Sequence, residues 1–284
     1  MNSKIVDSMH IPFYRFANGV SVPMFGLGLD QVRDLKLAYD SLIYAFSLGY
    51  RSVDTASAYY NEEAVGKAIR ECGLSREEIY ITTKLTADDQ GYYATLKGFD
   101  ESRKRLQLDY IDCFLIHWPG KYLYIDTWKA FEKLYAEGRV KVIGVCNFTQ
   151  KHLDRLSKNT SVMPMVNQIE IHPYFQQVEL DAYCRNRAML VEAWSPLMCG
   201  GIVLNDPVIK EMALEMGKKP AQVILRWHYQ KGHRIFPKSV TPKRIAENIS
   251  IFDFSLDSMQ IEKIDALNSH NFRIGPNPDV FFER

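Results

Sequence analysis

The chain has 284 residues, 46% hydrophobic and 24% charged, which is enough apolar material for a sizeable core and speaks against disorder. Its 35 Lys and Arg against 34 Asp and Glu leave a net charge of +1, so no basic excess points to nucleic acid or an anionic membrane, and any anion site must be local. Five scattered cysteines without CxxC spacing, a polar Met1–His10 without an apolar h-region, and no apolar run of about 18 residues predict a reduced, cytoplasmic protein with no membrane span.

Near the N-terminus, Phe13–Phe16 and Val20–Met24 flank Asn18-Gly19, a dipeptide that adopts the positive φ of a tight turn, and a hairpin plugging one end of the fold is expected. From Met24 onward, short β-rich apolar runs alternate eight times with longer amphipathic stretches. The strands are predicted at Met24–Leu29, Ser52–Ala56, Tyr80–Leu85, Asp112–Trp118, Lys141–Asn147, Met165–Ile171, Leu190–Ser195 and Arg234–Lys238. Continuous apolar runs of this kind suit parallel strands covered on both faces. Each strand is expected to be followed by a crossover helix, for instance Leu35–Leu48, Glu62–Glu71, Tyr92–Leu106, Thr127–Glu137, Val178–Arg187 and Ala221–Gln230, with Asn61 opening the helix at Glu62 and Gly138 closing the one that ends at Glu137. Ser258–Leu267 reads as an added helix, and Arg273–Arg284 as a Gly- and Pro-containing tail placed to cover a substrate. No linker or repeat divides the chain, so a single domain spanning 1–284 is expected. Eight β/α pairs fit either a closed barrel or an open doubly wound sheet, and periodicity alone does not separate them.

Ionisable residues fall at the C-terminal ends of successive apolar strands: Asp54, Lys84 and His117, with Tyr59 five residues past Asp54. In a barrel those ends converge on one mouth. There, a buried Lys84 cation paired with Asp54 would lower the pKa of Tyr59 and make it a general acid, while His117 donates to and orients a carbonyl oxygen. A metal-dependent hydrolase built on His117, His172 and Asp54 would want paired histidines or more carboxylates, which the spacing does not supply, so no metal is expected. Reduction needs a hydride donor, yet no GxGxxG is present; Gly26-Leu27-Gly28 comes nearest, with Gln31 where the third glycine should stand. Lys238, Ser239, Thr241, Lys243 and Arg244 instead place cations and hydroxyls between the last strand and a helix start, a phosphate-binding arrangement.

The segments DTASAYYNEEAVGKAI (Asp54–Ile69), ITTKL (Ile81–Leu85), LDYIDCFLIHWP (Leu108–Pro119), GRVKVIGVCNF (Gly138–Phe148), VNQIEIHPY (Val166–Tyr174) and FPKSVTPKRIAENI (Phe236–Ile249), in this order, closely resemble those of the aldo-keto reductases. The likeness runs from Phe13 to Phe282, and is greatest to the branch holding bacterial diketogluconate reductases and prostaglandin F synthases. It implies a (β/α)₈ barrel with an N-terminal hairpin, and a catalytic tetrad of Asp54, Tyr59, Lys84 and His117. It also implies NADP(H), with the 2′-phosphate end held by Lys238, Ser239, Val240, Thr241 and Arg244 and the adenine end by Glu247 and Asn248. Asn147 and Gln168 would hold the nicotinamide carboxamide, Trp194 would stack on the ring, and Ser195 and Leu197 would complete the cofactor contacts.

Two positions depart from the family pattern: Cys146 replaces a usual Ser, and Asp30 stands where an aromatic commonly lines the substrate pocket. Asp30 would repel acidic substrates, unless it caps the helix that follows. Tyr60, Trp118, Phe281 and Phe282 are further expected lining residues. The reading is a monomeric reductase of small-molecule carbonyls; the alternative is a cofactor-binding regulatory subunit of the same fold, which the complete tetrad disfavours.

Overall fold

A computed structural model describes residues 11–269 and 272–281; Met1–His10 and the tail residue Phe282 lie outside the described residues. Strands β1 (Phe13–Arg15) and β2 (Ser21–Pro23) form the expected antiparallel hairpin, in which Tyr14 faces Val22 and Gly19 turns with φ 87°. Phe16, Val22 and Met24 from this hairpin pack with Tyr80, Val142, Val166 and Leu190, which stand at or near strand starts, so the hairpin closes the N-terminal end of the sheet.

The eight strands that follow are β3 (Leu27–Gly28), β4 (Ser52–Asp54), β5 (Tyr80–Leu85), β6 (Ile111–Ile116), β7 (Val140–Cys146), β8 (Val166–Glu170), β9 (Leu190–Trp194) and β10 (Arg234–Ile235). Each pairs in parallel with its neighbour in chain order. The sheet closes on itself: parallel bridges join Phe25 to Ile235 and Gly28 to Lys238, and Gly26 N donates to Ile235 O at 3.0 Å. The molecule is therefore a (β/α)₈ barrel, and the open-sheet alternative falls away. Glycine is required at this seam because a Cβ on Gly28 would lie 2.6 Å from Phe236 O. The first and last strands are shorter than predicted because each ladders regularly with only one neighbour and meets the other through isolated bridges.

Around the barrel lie α1 (Leu35–Ser47), α2 (Glu62–Glu71), α3 (Tyr92–Leu106), α4 (Tyr124–Ala136), α5 (Gln150–Ser157), α6 (Val178–Arg185), α7 (Pro207–Glu215), α8 (Pro220–Gln230), α9 (Pro242–Ile249) and α10 (Ser258–Asp265). Helices α2 and α3 match their predicted bounds, and Gly138, with φ 70°, ends α4. Asn61 does stand at the start of α2, but its side chain makes no cap. Its amide instead donates to Leu29 O and Val32 O, both at 3.0 Å, and its oxygen accepts from Thr55 Oγ1 at 2.6 Å. Those bonds tie the segment that carries Asp30 to the strand end that carries Asp54. Helix α1 is capped by Asp34, whose carboxylate accepts from Leu37 N at 2.9 Å, so Asp30 is not the cap.

The core lies between barrel and helices, with Phe114 of β6 stacked on Phe131 of α4 at 4.6 Å and edge-on to Phe99 of α3 at 5.3 Å. Burying such side chains stabilises the fold by about 1.5–3 kcal/mol each. Among the described residues, no helix is long and apolar enough to cross a membrane.

Candidate active site

Asp54 ends β4 in lateral register with Thr82 of β5, and Lys84 lies two residues further along β5, so the strand's period of two turns it to the same interior face. Its ammonium donates to Asp54 Oδ1 at 2.5 Å, to Thr55 O at 3.0 Å and to Tyr59 Oη at 3.3 Å. Tyr59 reaches this point from a short 3₁₀ turn, Ser57–Tyr59, whose exit residue Tyr60 sits at φ 59°. The Ser57 hydroxyl donates to Lys84 O at 3.0 Å and fixes that turn on β5. His117, just beyond β6, stands edge-on to the Tyr59 ring at 5.6 Å. The four residues singled out from the sequence thus meet at the mouth of the barrel.

Burial alone would strip Lys84 of its proton, but Asp54 and Tyr59 outweigh it and hold the ammonium above its usual range. For Tyr59 the balance differs from the expectation of a lowered value. Burial pushes the phenol up, Lys84 pulls it down, and the negative charges of Asp54 and Asp30 push it up again. The phenol is accordingly protonated, the state a proton donor needs. Burial, aided by the Lys84 charge, lowers His117 to about 3, so its ring is neutral.

The residues expected to hold a nicotinamide are continuous with this cluster. Gln168 Nε2 donates to Asp54 Oδ2 at 2.8 Å and to Glu192 Oε2 at 2.9 Å, and among the described residues its Oε1 receives only the Cys146 thiol, at 3.8 Å. Asn147, held at φ 64°, donates to His117 O at 3.0 Å and accepts from Trp194 Nε1 at 2.7 Å. Ser195, at φ 48°, opens the loop after β9 with its hydroxyl 3.5 Å from Cys199 Sγ, and Leu197 packs half-buried against the core.

Around the start of α9, Ser239 Oγ accepts from Thr241 N at 3.2 Å, Val240 is half-buried, and Asn248 is buried with Glu247 beside it. Lys238, Lys243 and Arg244 are exposed and form no ion pair among the described residues. Three unpaired cations at a helix start, and an amide oxygen lacking a strong donor, fit the two ends of a nicotinamide dinucleotide phosphate.

Of the expected pocket residues, Asp30 is exposed and its charge reaches Tyr59, Tyr60 is 74% exposed, and Trp118 lies against Phe281 at 4.6 Å. The tail comes back over the mouth. Ile274 N and Gly275 N donate to Glu170 Oε1 and Oε2 at 2.6 and 3.0 Å, and Thr149 Oγ1 donates to Asp279 at 3.1 Å. A Cβ on Gly275 would sit 2.4 Å from Trp194 Cη2, so the tail backbone lies directly against the indole. His172 lies 3.2 Å from Glu170 Oε1, and no metal-holding group of three His, Cys, Asp or Glu is found among the described residues.

Sequence reasoning missed Glu170, Glu192 and Arg234, all fully buried. Their signal was available: each is a charge set in or beside an otherwise apolar strand, where an unpaired charge is not tolerated.

Residues 25–269 match the Aldo/keto reductase family, and the chain belongs to that family. Glyoxal reductase of Bacillus subtilis (strain 168) is 51% identical over 262 residues, which cover 92% of this chain and 94% of the relative. Methylglyoxal reductase DkgA of Salmonella typhimurium is 46% identical over 94% of this chain and 97% of its own length. A crystal structure of a Gox0644 mutant in complex with NADPH superposes with a TM-score of 0.91 at 41% identity, covering 95% of this chain and 98% of that one.

Proposed function

We propose that this chain reduces aldehyde and ketone carbonyls with NADPH, Tyr59 acting as general acid, and that glyoxal-type α-dicarbonyls are among its substrates. The observation that carries the reading is Lys84 bound at once to the Asp54 carboxylate and the Tyr59 hydroxyl in the barrel mouth. When bound, the reduced nicotinamide supplies the hydride that adds to the carbonyl carbon. Neutral His117 donates a hydrogen bond to the carbonyl oxygen, and Tyr59 delivers the proton that completes the alcohol. Lys84 stabilises the phenolate left behind until solvent returns the proton. Gln168 Oε1 and Asn147 hold the carboxamide, Trp194 supports the ring, and Lys238, Ser239 and Arg244 take the 2′-phosphate. The substrate names of the two relatives support small dicarbonyls as the first compounds to test. Five free thiols accord with a reducing cytoplasm, and the enzyme is read as a monomer.

The test follows nicotinamide absorbance with NADPH or NADH and a panel of glyoxals, aldehydes and keto sugars. Turnover preferring NADPH is expected; tight NADPH binding without turnover on any carbonyl replaces this reading with a regulatory subunit. Arg244→Ala should weaken NADPH about 10–100-fold and leave NADH nearly unchanged, because one charge-assisted contact to phosphate is worth about 1.5–3 kcal/mol. Equal losses for both cofactors would place Arg244 away from the 2′-phosphate.

Asp30 gives the pocket its own selectivity. Replacing this exposed carboxylate in Asp30→Phe should raise kcat/KM for a keto acid severalfold relative to a neutral aldehyde, since a like charge no longer opposes entry. An unchanged ratio would remove Asp30 from the pocket.

A further inference from the structure

We propose that Glu192 and Arg234 are positioning residues that decide which end of the Gln168 amide faces the cofactor. This rests on the reading above, in which Gln168 holds the nicotinamide carboxamide. Gln168, Glu192 and Arg234 are lateral partners on three neighbouring strands, so their side chains stand in one row across the barrel interior. All three are buried, Glu192 and Arg234 completely.

The row is fully bonded. Gln168 Nε2 bridges Asp54 Oδ2 at 2.8 Å and Glu192 Oε2 at 2.9 Å, and Glu192 Oε1 accepts from Arg234 Nη1. Arg234 also donates from Nε to Pro23 O at 2.8 Å and from Nη2 to Ser52 Oγ at 2.5 Å. Its guanidinium is faced by the rings of Tyr80 at 4.8 Å and Phe236 at 4.3 Å. A bonded path therefore runs from the hairpin at the barrel floor to the catalytic carboxylate at its mouth.

The two ends of a glutamine amide have almost the same shape, and only the partners choose between them. Here both partners are carboxylates, which accept and do not donate. Both N–H groups of Gln168 are consumed, and the reversed amide would set an oxygen against two carboxylate oxygens in a dry interior. Oε1, which receives the weakly donating Cys146 thiol at 3.8 Å, is left as the end that can take the carboxamide N–H₂. Arg234 matters because it holds Glu192 Oε1, which leaves Oε2 facing Gln168; without the cation the carboxylate would be buried with half of its partners gone and free to turn away. An arginine cannot itself change from donor to acceptor, so the polarity of the whole row is set from its floor.

The experiment measures NADPH dissociation constants by quenching of protein fluorescence, with a thermal melt of every variant. In Glu192→Gln the new amide must turn its oxygen to Arg234 and its nitrogen to Gln168, drawing Gln168 Oε1 away from the cofactor. NADPH affinity should fall about tenfold. In Glu192→Gln/Arg234→Met residue 192 is free to offer its oxygen to Gln168, and affinity should return to within about threefold of the parent. Should Glu192→Gln fail to fold, Glu192→Leu/Arg234→Met replaces it: this pair removes both charges and the acceptor, and should bind about tenfold more weakly than Glu192→Gln/Arg234→Met.

A residue that only stabilises the barrel would move melting temperatures and leave the dissociation constants alike, and that result overturns the proposal. Gln168→Ala separates the two levels. If it leaves NADPH affinity unchanged, the carboxamide reading fails; if it weakens binding while the residue 192 and 234 variants do not, only the positioning role fails.

Discussion

Tyr59→Phe is expected to lower kcat by about 10²–10⁴-fold while NADPH binds as in the parent. The substitution removes one hydroxyl, 3.3 Å from Lys84 Nζ, and keeps a ring that packs edge-on to His117 at 5.6 Å. No expected cofactor contact passes through that oxygen. The large loss follows from the burial that keeps the phenol protonated, and from His117, which is lowered to about 3 and as a neutral ring has no spare acid proton to give. Single-turnover reduction with bound NADPH reads the chemical step directly. An unchanged rate would transfer the acid role elsewhere.

Lys84→Met is expected to lose both turnover and stability. Removing the ammonium leaves Asp54 in the barrel with the Gln168 amide as its one side-chain partner among the described residues, and breaking one side of a buried pair costs about 3–5 kcal/mol. For a chain of this size that corresponds to a fall in Tm of about 10 °C. Asp54→Asn placed on Lys84→Met should recover most of the melting temperature, since a neutral amide needs no counter-charge, yet recover no turnover, since nothing then supports the phenolate. Recovery of both by the double variant would reduce Lys84 to a structural role.

Much of this architecture was legible because its signals are local. Alternating apolar runs and amphipathic stretches gave the order of strands and helices, and α2 and α3 carry enough punctuation to fix both ends. Strand-end residues such as Asp54 and Lys84 were legible because a parallel barrel sends such ends to one place. Three features were not local. Closure depends on bonds between Gly26 and Ile235, more than two hundred residues apart in the chain. The state of Tyr59 depends on how burial, Asp54 and Asp30 together balance against Lys84, which no spacing reveals. Glu192 and Arg234 each stand out as a charge in an apolar strand, but that they pair with each other appears only when lateral register sets them side by side.

The way the tail is seated bears on how this protein can be redesigned. Exchanging C-terminal segments between related barrels is an attractive route to new substrate ranges, because the segment borders the mouth. Here residues 272–281 are not a free cassette. Their backbone is gripped by Glu170 of β8, and Gly275 leaves no space for a side chain beside the Trp194 indole. A grafted tail must therefore bring a glycine at that register and meet a strand that still offers the carboxylate, so strand and tail form a single unit of exchange even though a hundred residues of sequence lie between them.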